Sequence, residues 1–266
     1  MTLEALIFDV DGTLADTEET HRQAFNMAFL EHGLGWEWSR TRYADLLLVT
    51  GGKERMRRFI AGLDLPLAER SRLEQIIPRV HATKTRIFSD LVDTGEAALR
   101  PGVARLISEA RDAGLALAIA STTSLENVRA LVAAGLGSGA LSWFSVLACG
   151  DAVAFKKPAP DIYRLALSCL GKPAASCVAF EDSMLGVHAA TAAGLFTVAT
   201  PTAWTCEQDL SAADLVLPSL GDPQDPVDLG SGAGLRKARW LGLAELTALH
   251  QATMRPGARR SGAWAS

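Results

Sequence analysis

Between Arg100 and Leu217, short apolar runs alternate with stretches of helical pattern, and few folds accept that rhythm. The runs fall at residues 115–120, 145–148, 177–180, 196–199 and 214–217; the helical stretches fall at 103–113, 125–134, 161–170 and 186–193. The runs are too short for stable helices and mostly apolar at consecutive positions, as in strands covered on both faces. A helix between consecutive strands carries the chain back to pair in parallel. The expected fold class is therefore α/β, with a doubly wound, mostly parallel sheet and residues 214–217 as an edge strand. Ala5-Leu6-Ile7-Phe8 supplies a further strand, closed by a Gly12-Thr13 turn.

Residues 16–98 lack this rhythm. Ala24, Phe25, Ala28 and Phe29 form one helical stripe, and Gly35-Trp36-Glu37-Trp38 separates it from a helix expected at 42–48. Gly51-Gly52 breaks that helix, 53–60 restarts one, and 67–90 reads as one or two more after Pro66. The expected organisation is an α/β core from 1–15 and 99–225, with a helical module, 16–98, inserted after the first strand. Residues 226–266 form a C-terminal extension that follows a linker-like 221–226 and continues through Gly-rich 230–234. It should hold one helix, about 236–254, packed on the surface, and a poorly ordered end from 255.

The 266 residues, 48% hydrophobic and 21% charged, suffice for one large domain and a smaller one. A net charge of −4 lacks the basic excess of a nucleic-acid binder. No apolar run approaches the ~20 residues of a membrane span, and the N-terminus shows no basic leader. A cytoplasmic protein without nucleic-acid or membrane partners is expected, with a monomer as the working assumption. Cys149, Cys169, Cys177 and Cys206 show no C-x-x-C spacing and read as buried thiols of a reducing compartment.

The chemistry should lie just beyond the carboxyl ends of the strands. Asp9 and Asp11 are two apart on one strand, so both side chains reach into the same small volume. Two carboxylates that close repel unless a cation or a proton intervenes, and Mg²⁺ is suited to a few carboxylates plus phosphate oxygens. One Asp could then attack a phosphoryl group while the other handles the leaving-group proton. Taken alone, Asp-x-Asp-Gly is as easily a solvated turn. Ser121-Thr122-Thr123-Ser124 follows another strand and opens a helix, where a hydroxyl and free N–H groups form a phosphate site. Thr123-x-x-Glu126 also fits a capping box, which leaves Ser121 and Thr122 unexplained. Lys156-Lys157-Pro158 and Phe180-Glu181-Asp182-Ser183 complete the set; a solvated turn and a helix cap would account for them in isolation.

Together these stretches resemble the four motifs of the haloacid dehalogenase superfamily of phosphotransferases, in the family's order. Phe8-Asp9-Val10-Asp11-Gly12-Thr13-Leu14 matches the first motif, Ser121 the second, Lys157 directly before Pro158 the third, and Glu181-Asp182-Ser183 with Gly186 the fourth. The resemblance implies Asp9 as nucleophile, Asp11 as acid–base, Ser121 and Lys157 at the transferring phosphate, and Mg²⁺ held by Asp9, Asp11, Asp182 and, at one remove, Glu181. Lys156 is expected to be a surface charge. The inserted module then corresponds to the family's helical cap. Residues 15–21, 50–55, 122–125 and 157–163 are similar to the β-phosphoglucomutase-like group, and within it to the Calvin-cycle sugar-bisphosphate phosphatases. That resemblance covers nearly residues 1–220 and implies cleavage of xylulose-1,5-bisphosphate, a Rubisco inhibitor, to xylulose 5-phosphate. Gly51 and Gly52 allow close backbone approach, and Lys53 with Arg55 adds positive charge for a second phosphate. Glu18, His21, Tyr43 and Lys84 are candidates for the sugar side of the cleft, with Thr122 beside Ser121; His21 fits a hinge equally well. A mutase would use the same framework, and a non-catalytic member would be expected to lack Asp9 or Asp11.

Overall fold

A computed structural model describes residues 2–229 and 238–253. Six strands form one all-parallel sheet: β1 (Ala5–Phe8), β2 (Ala116–Ser121), β3 (Phe144–Cys149), β4 (Cys177–Glu181), β5 (Phe196–Ala199) and β6 (Leu215–Val216). Their order is β3-β2-β1-β4-β5-β6, so the winding direction reverses between β1 and β4. Open sheets of this kind bind ligands at the carboxyl ends beside such a reversal.

Both faces of the sheet are covered. Along β1, Leu6 and Phe8 belong to one apolar cluster and Ala5 and Ile7 to the other, as the two-residue strand period requires. The helices doing this are α5 (Val103–Asp112), α6 (Leu125–Leu136), α7 (Asp161–Leu170) and α8 (Met184–Ala192). Alanines at 118, 120, 148, 166, 179, 189 and 190 line the second cluster, where small side chains let helix and strand backbones approach.

Between β1 and α5 the chain carries four helices: α1 (Glu18–Glu31), α2 (Arg40–Leu46), α3 (Gly52–Ala61) and α4 (Leu67–Asp93). An aromatic cluster holds this insertion together, with Trp38 4.7 Å from Phe25 and 4.8 Å from Phe29 between ring centroids. The expected helix at 42–48 starts earlier because Ser39 caps it, its side chain accepting from Arg42 N. Gly52 opens α3 instead of breaking the chain before it. Residues 67–93 are one 27-residue helix running through Pro78. Its apolar face, from Leu73 and Ile77 to Ile87 and Phe88, is buried along most of its length, which offsets the backbone hydrogen bond lost at proline.

The C-terminal extension departs from expectation. Its helix α9 (Leu243–Thr253) begins later than the pattern suggested; one face, with Leu246, Leu249 and His250, is buried against the core, while Ala244, Ala248, Gln251 and Ala252 are exposed, as in a helix packed on the surface. Residues 219–229 are pinned, not linker-like. Arg105 donates to the carbonyls of Gly221 and Leu241 and pairs with Asp222, and Leu241 N donates to Leu220 O. The glycines of 230–234 and the expected tail from 255 lie outside the described residues. The cysteines are also corrected: all four are free, but Cys169 and Cys206 are exposed. Among the described residues no helix is long and apolar enough to cross a membrane.

Candidate active site

Asp9 leaves the end of β1 and Asp182 and Glu181 leave the end of β4, the neighbouring strand. One carboxylate oxygen from each of the three lies within 4.8 Å of the others, and all three side chains are buried. Lys157 Nζ reaches into this group, 2.5 Å from Asp9 Oδ1 and 2.6 Å from Glu181 Oε1. Tyr163, on α7, donates to the same Glu181 oxygen at 2.5 Å. Burial pushes Asp9 up to about 7, against the pull of Lys157. Burial also drives Asp182 well above the usual carboxylate range, with Glu181 and Asp9 adding to the effect. For Lys157, burial alone would weaken the ammonium, but the Asp9 and Glu181 carboxylates outweigh it and hold its proton firmly.

Three buried carboxylates against one ammonium leave an excess of negative charge, and that is the environment a hard dication fits. Asp9, Glu181 and Asp182 are the residues that would hold Mg²⁺. The Asp11 carboxylate, expected in the same set, lies outside this group. Its Oδ1 accepts from Thr17 Oγ1 at 2.7 Å and pairs with His21 Nε2 at 2.8 Å, so its partners lie at the start of the helical insertion.

Two glycines make room for the acidic group. A Cβ at Gly12, which has φ +80°, would overlap the Asp182 carboxylate, and one at Gly186 would overlap the Glu181 carboxylate. Gly12→Ala is therefore expected to lower turnover by at least about 10²-fold, since a displacement near 1 Å at such a site costs that much. The positive φ adds about 1–2 kcal/mol of destabilisation. Steady-state kinetics beside thermal unfolding check both; retained turnover would show that Asp182 tolerates the shift.

His21 links two charged groups. Lys84 Nζ lies 2.5 Å from His21 Nδ1, which makes Nδ1 the acceptor and leaves Nε2–H to donate to Asp11. Lys84 is buried, with its Nζ 5.0 Å and 4.8 Å from the Phe25 and Phe88 ring centres. Burial lowers Lys84 to about 7, although Asp11 favours its charged form. Burial and then Lys84 also lower His21. Burial opposes ionisation of Asp11, but His21, Thr17 and Lys84 together outweigh it and keep Asp11 strongly acidic. His21 and Lys84 thus act on Asp11, and both also line the active-site chamber.

Glu18, Tyr43 and Arg55 form a second buried chain. Tyr43 donates to Glu18 Oε2 at 2.8 Å, and Arg55 Nη1 donates to Tyr43 at 2.7 Å. Glu18 and Arg55 line the active-site chamber, whereas Tyr43 stands behind them. Ser121 and Thr122 line it as well. The Ser121 hydroxyl accepts from Thr123 N at 3.3 Å, and the cap of α6 is Ser124 instead of Thr123, with Ser124 Oγ accepting from Asn127 N. Ser183 caps α8, which leaves Asp182 for the acidic group.

Gly51 and Gly52 also border the chamber, which has a volume of about 90 Å³. Lys53 does not: it lines an adjoining cavity of about 790 Å³ that shares Gly52, His81, Thr122 and Ser124 with the first. Lys156, expected in solvent, is only 13% exposed and bridges Glu54 and Asp151. Tyr163, Thr17 and Asp151 hydrogen-bond to candidate site residues, which sequence reasoning missed. Tyr163 and Thr17 lie inside family-like stretches, yet only the structure shows their hydrogen bonds to Glu181 and Asp11.

A family model described as haloacid dehalogenase-like hydrolase matches residues 3–194. The plasmid CbbY protein of Cupriavidus necator is 47% identical over 252 residues, covering 95% of this chain and 98% of its own length. The CbbY protein of Rhodobacter capsulatus is 50% identical over 220 residues, covering 83% of this chain and 95% of its own. A solved structure of mutant CbbY from Rhodobacter sphaeroides in complex with xylulose-1,5-bisphosphate superposes with a TM-score of 0.76 at 48% identity, covering 82% of this chain and 95% of that one.

Proposed function

The chain belongs to the haloacid dehalogenase-like hydrolase family, and from that premise we propose that it is a Mg²⁺-dependent phosphatase converting xylulose-1,5-bisphosphate to xylulose 5-phosphate. The observation that carries the reading is Asp9: a buried carboxylate at the end of the strand beside the sheet's reversal, 2.5 Å from Lys157 Nζ and grouped with Glu181 and Asp182. The choice of sugar bisphosphate is supported by the likeness to CbbY, one form of which was solved with that compound.

In this reading an Asp9 oxygen attacks phosphorus, the bond to the sugar oxygen breaks, and Asp11 gives that oxygen a proton. Asp11 rests as a carboxylate, so it becomes the acid only when an incoming phosphate dianion favours protonation nearby. In the second half it takes a proton from the water that attacks the aspartyl phosphate, releasing inorganic phosphate and restoring Asp9. His21 and Lys84 fix the direction in which Asp11 points. Lys157 stays charged throughout and offsets the phosphate oxygens, and Ser121 with the N-terminus of α6 receives them. A bound dication would neutralise the same oxygens. The helical insertion acts as a cap that excludes water. Every group named comes from one chain, so a monomer suffices, and free thiols suit a reducing cytoplasm.

Kinetics with a panel of sugar mono- and bisphosphates test the reading. Charge-assisted contacts to a second phosphate contribute about 1.5–3 kcal/mol, so kcat/KM for xylulose-1,5-bisphosphate should exceed that for pentose monophosphates by about one to two decades. Equal values would remove the bisphosphate assignment and leave a general sugar-phosphate phosphatase.

A further inference from the structure

Two lysines and two carboxylates meet across the mouth of the cleft. Lys53 and Glu54 come from the first turn of α3, on the helical side; Asp151 and Lys156 come from the loop after β3, on the sheet side. One Asp151 carboxylate spans both lysines, with Oδ2 2.7 Å from Lys53 Nζ and Oδ1 2.8 Å from Lys156 Nζ. Lys156 also reaches Glu54 at 3.2 Å. Its ammonium lies against the backbone of Gly51, where a Cβ would stand 2.9 Å from Nζ. Gly51 offers α3 no side-chain cap, which leaves the first N–H groups of that helix without one, and the Glu54 carboxylate also lies against Gly51, where a Cβ would overlap it. Lys53, Asp151 and Lys156 border the 790 Å³ cavity that opens beside the active-site chamber, and Gly51 borders the chamber itself.

We propose that Asp151 is a resident anion in the subsite for the substrate's second phosphate, holding Lys53 and Lys156 together until that phosphate replaces it. The inference rests on the bisphosphate reading above and adds Asp151 and Lys156 as residues that determine specificity. Two ammonium groups and a glycine-capped helix N-terminus make an anion site; Asp151 bridges both ammoniums with a single charge, and Glu54 adds a second carboxylate on Lys156. A phosphate dianion carries more charge and more acceptor oxygens. Asp151 is 59% exposed, so it can turn out into water at small cost. A substrate with a single phosphate leaves Asp151 in place and gains nothing from the two lysines. Recognition of the second phosphate is then an exchange of anions that also keeps α3 tied to the loop after β3.

The test uses inhibition of p-nitrophenyl phosphate hydrolysis by pentane-1,5-bisphosphonate and by pentylphosphonate, which do not depend on the identity of the sugar. Asp151→Asn should tighten inhibition by the bisphosphonate about three- to tenfold and leave the monophosphonate within about twofold. Lys156→Ala should weaken the bisphosphonate about tenfold. If the wild type binds both compounds equally, the bisphosphate reading fails and this inference falls with it. If the wild type prefers the bisphosphonate but Asp151→Asn leaves that preference unchanged or weakens it, the bisphosphate reading stands and Asp151 is only a tie between the two parts of the molecule.

Discussion

Asp9→Asn should abolish turnover, by about 10⁴-fold or more for loss of the group that forms the covalent intermediate. An amide is nearly the same size as a carboxylate, so packing against Lys157 survives, but its nitrogen and carbonyl oxygen are poor nucleophiles toward phosphorus. The fold should survive too. Asp9, Glu181 and Asp182 crowd negative charge into one buried volume, so neutralising one of them removes repulsion. Thermal unfolding within a few degrees of the wild type, beside lost activity on every phosphate ester tried, is the expected pair of results. A well-folded Asp9→Asn protein that still turns over would transfer the nucleophile's role to water.

The second large effect is on Asp11. Asp11→Asn should slow hydrolysis of sugar phosphates by about 10²–10⁴-fold, the usual worth of a positioned acid–base group. A sugar alkoxide leaves poorly without a proton, whereas p-nitrophenolate leaves without one. Attack on p-nitrophenyl phosphate should therefore suffer less, which a single-turnover burst of p-nitrophenolate measures before the aspartyl phosphate hydrolyses. His21 and Lys84 are wired to Asp11, so His21→Gln should reproduce part of the same pattern. Equal losses on both substrates would place Asp11 in binding, outside proton transfer.

The groups that meet at the candidate site were legible in the sequence because most of them follow an apolar run directly. A parallel sheet brings the ends of such runs together whatever lies between them, so Asp9, Ser121 and Glu181 could be placed without knowing a single distance. Lys157 was legible through its position before Pro158. What could not be read is the pairing of side chains across the chain. Lys53 and Asp151 are 98 residues apart, and nothing local to either marks the other. Tyr163 reads as an apolar-face residue of α7 until its hydroxyl is found on Glu181. Asp11 illustrates the converse: its spacing from Asp9 put both on one face, but Thr17 and His21 redirect its carboxylate. The segment at 221–226 misled because its glycine and prolines have the composition of a linker. The anchoring contacts run instead from Arg105, which grips backbone carbonyls that carry no sequence signature. Lys156 looked solvated since adjacent lysines usually are; its second carboxylate partner, Glu54, comes from the distant α3.

The central claim is that one phosphate of a sugar bisphosphate is passed to Asp9 and then to water. Phosphorus-31 NMR of wild-type protein with xylulose-1,5-bisphosphate and Mg²⁺ tests it most directly. The account predicts one equivalent of inorganic phosphate and one of xylulose 5-phosphate, with no exchange of phosphate between carbons. An isomeric sugar phosphate appearing without free phosphate, or no change in the bisphosphate while monophosphates are consumed, would contradict it.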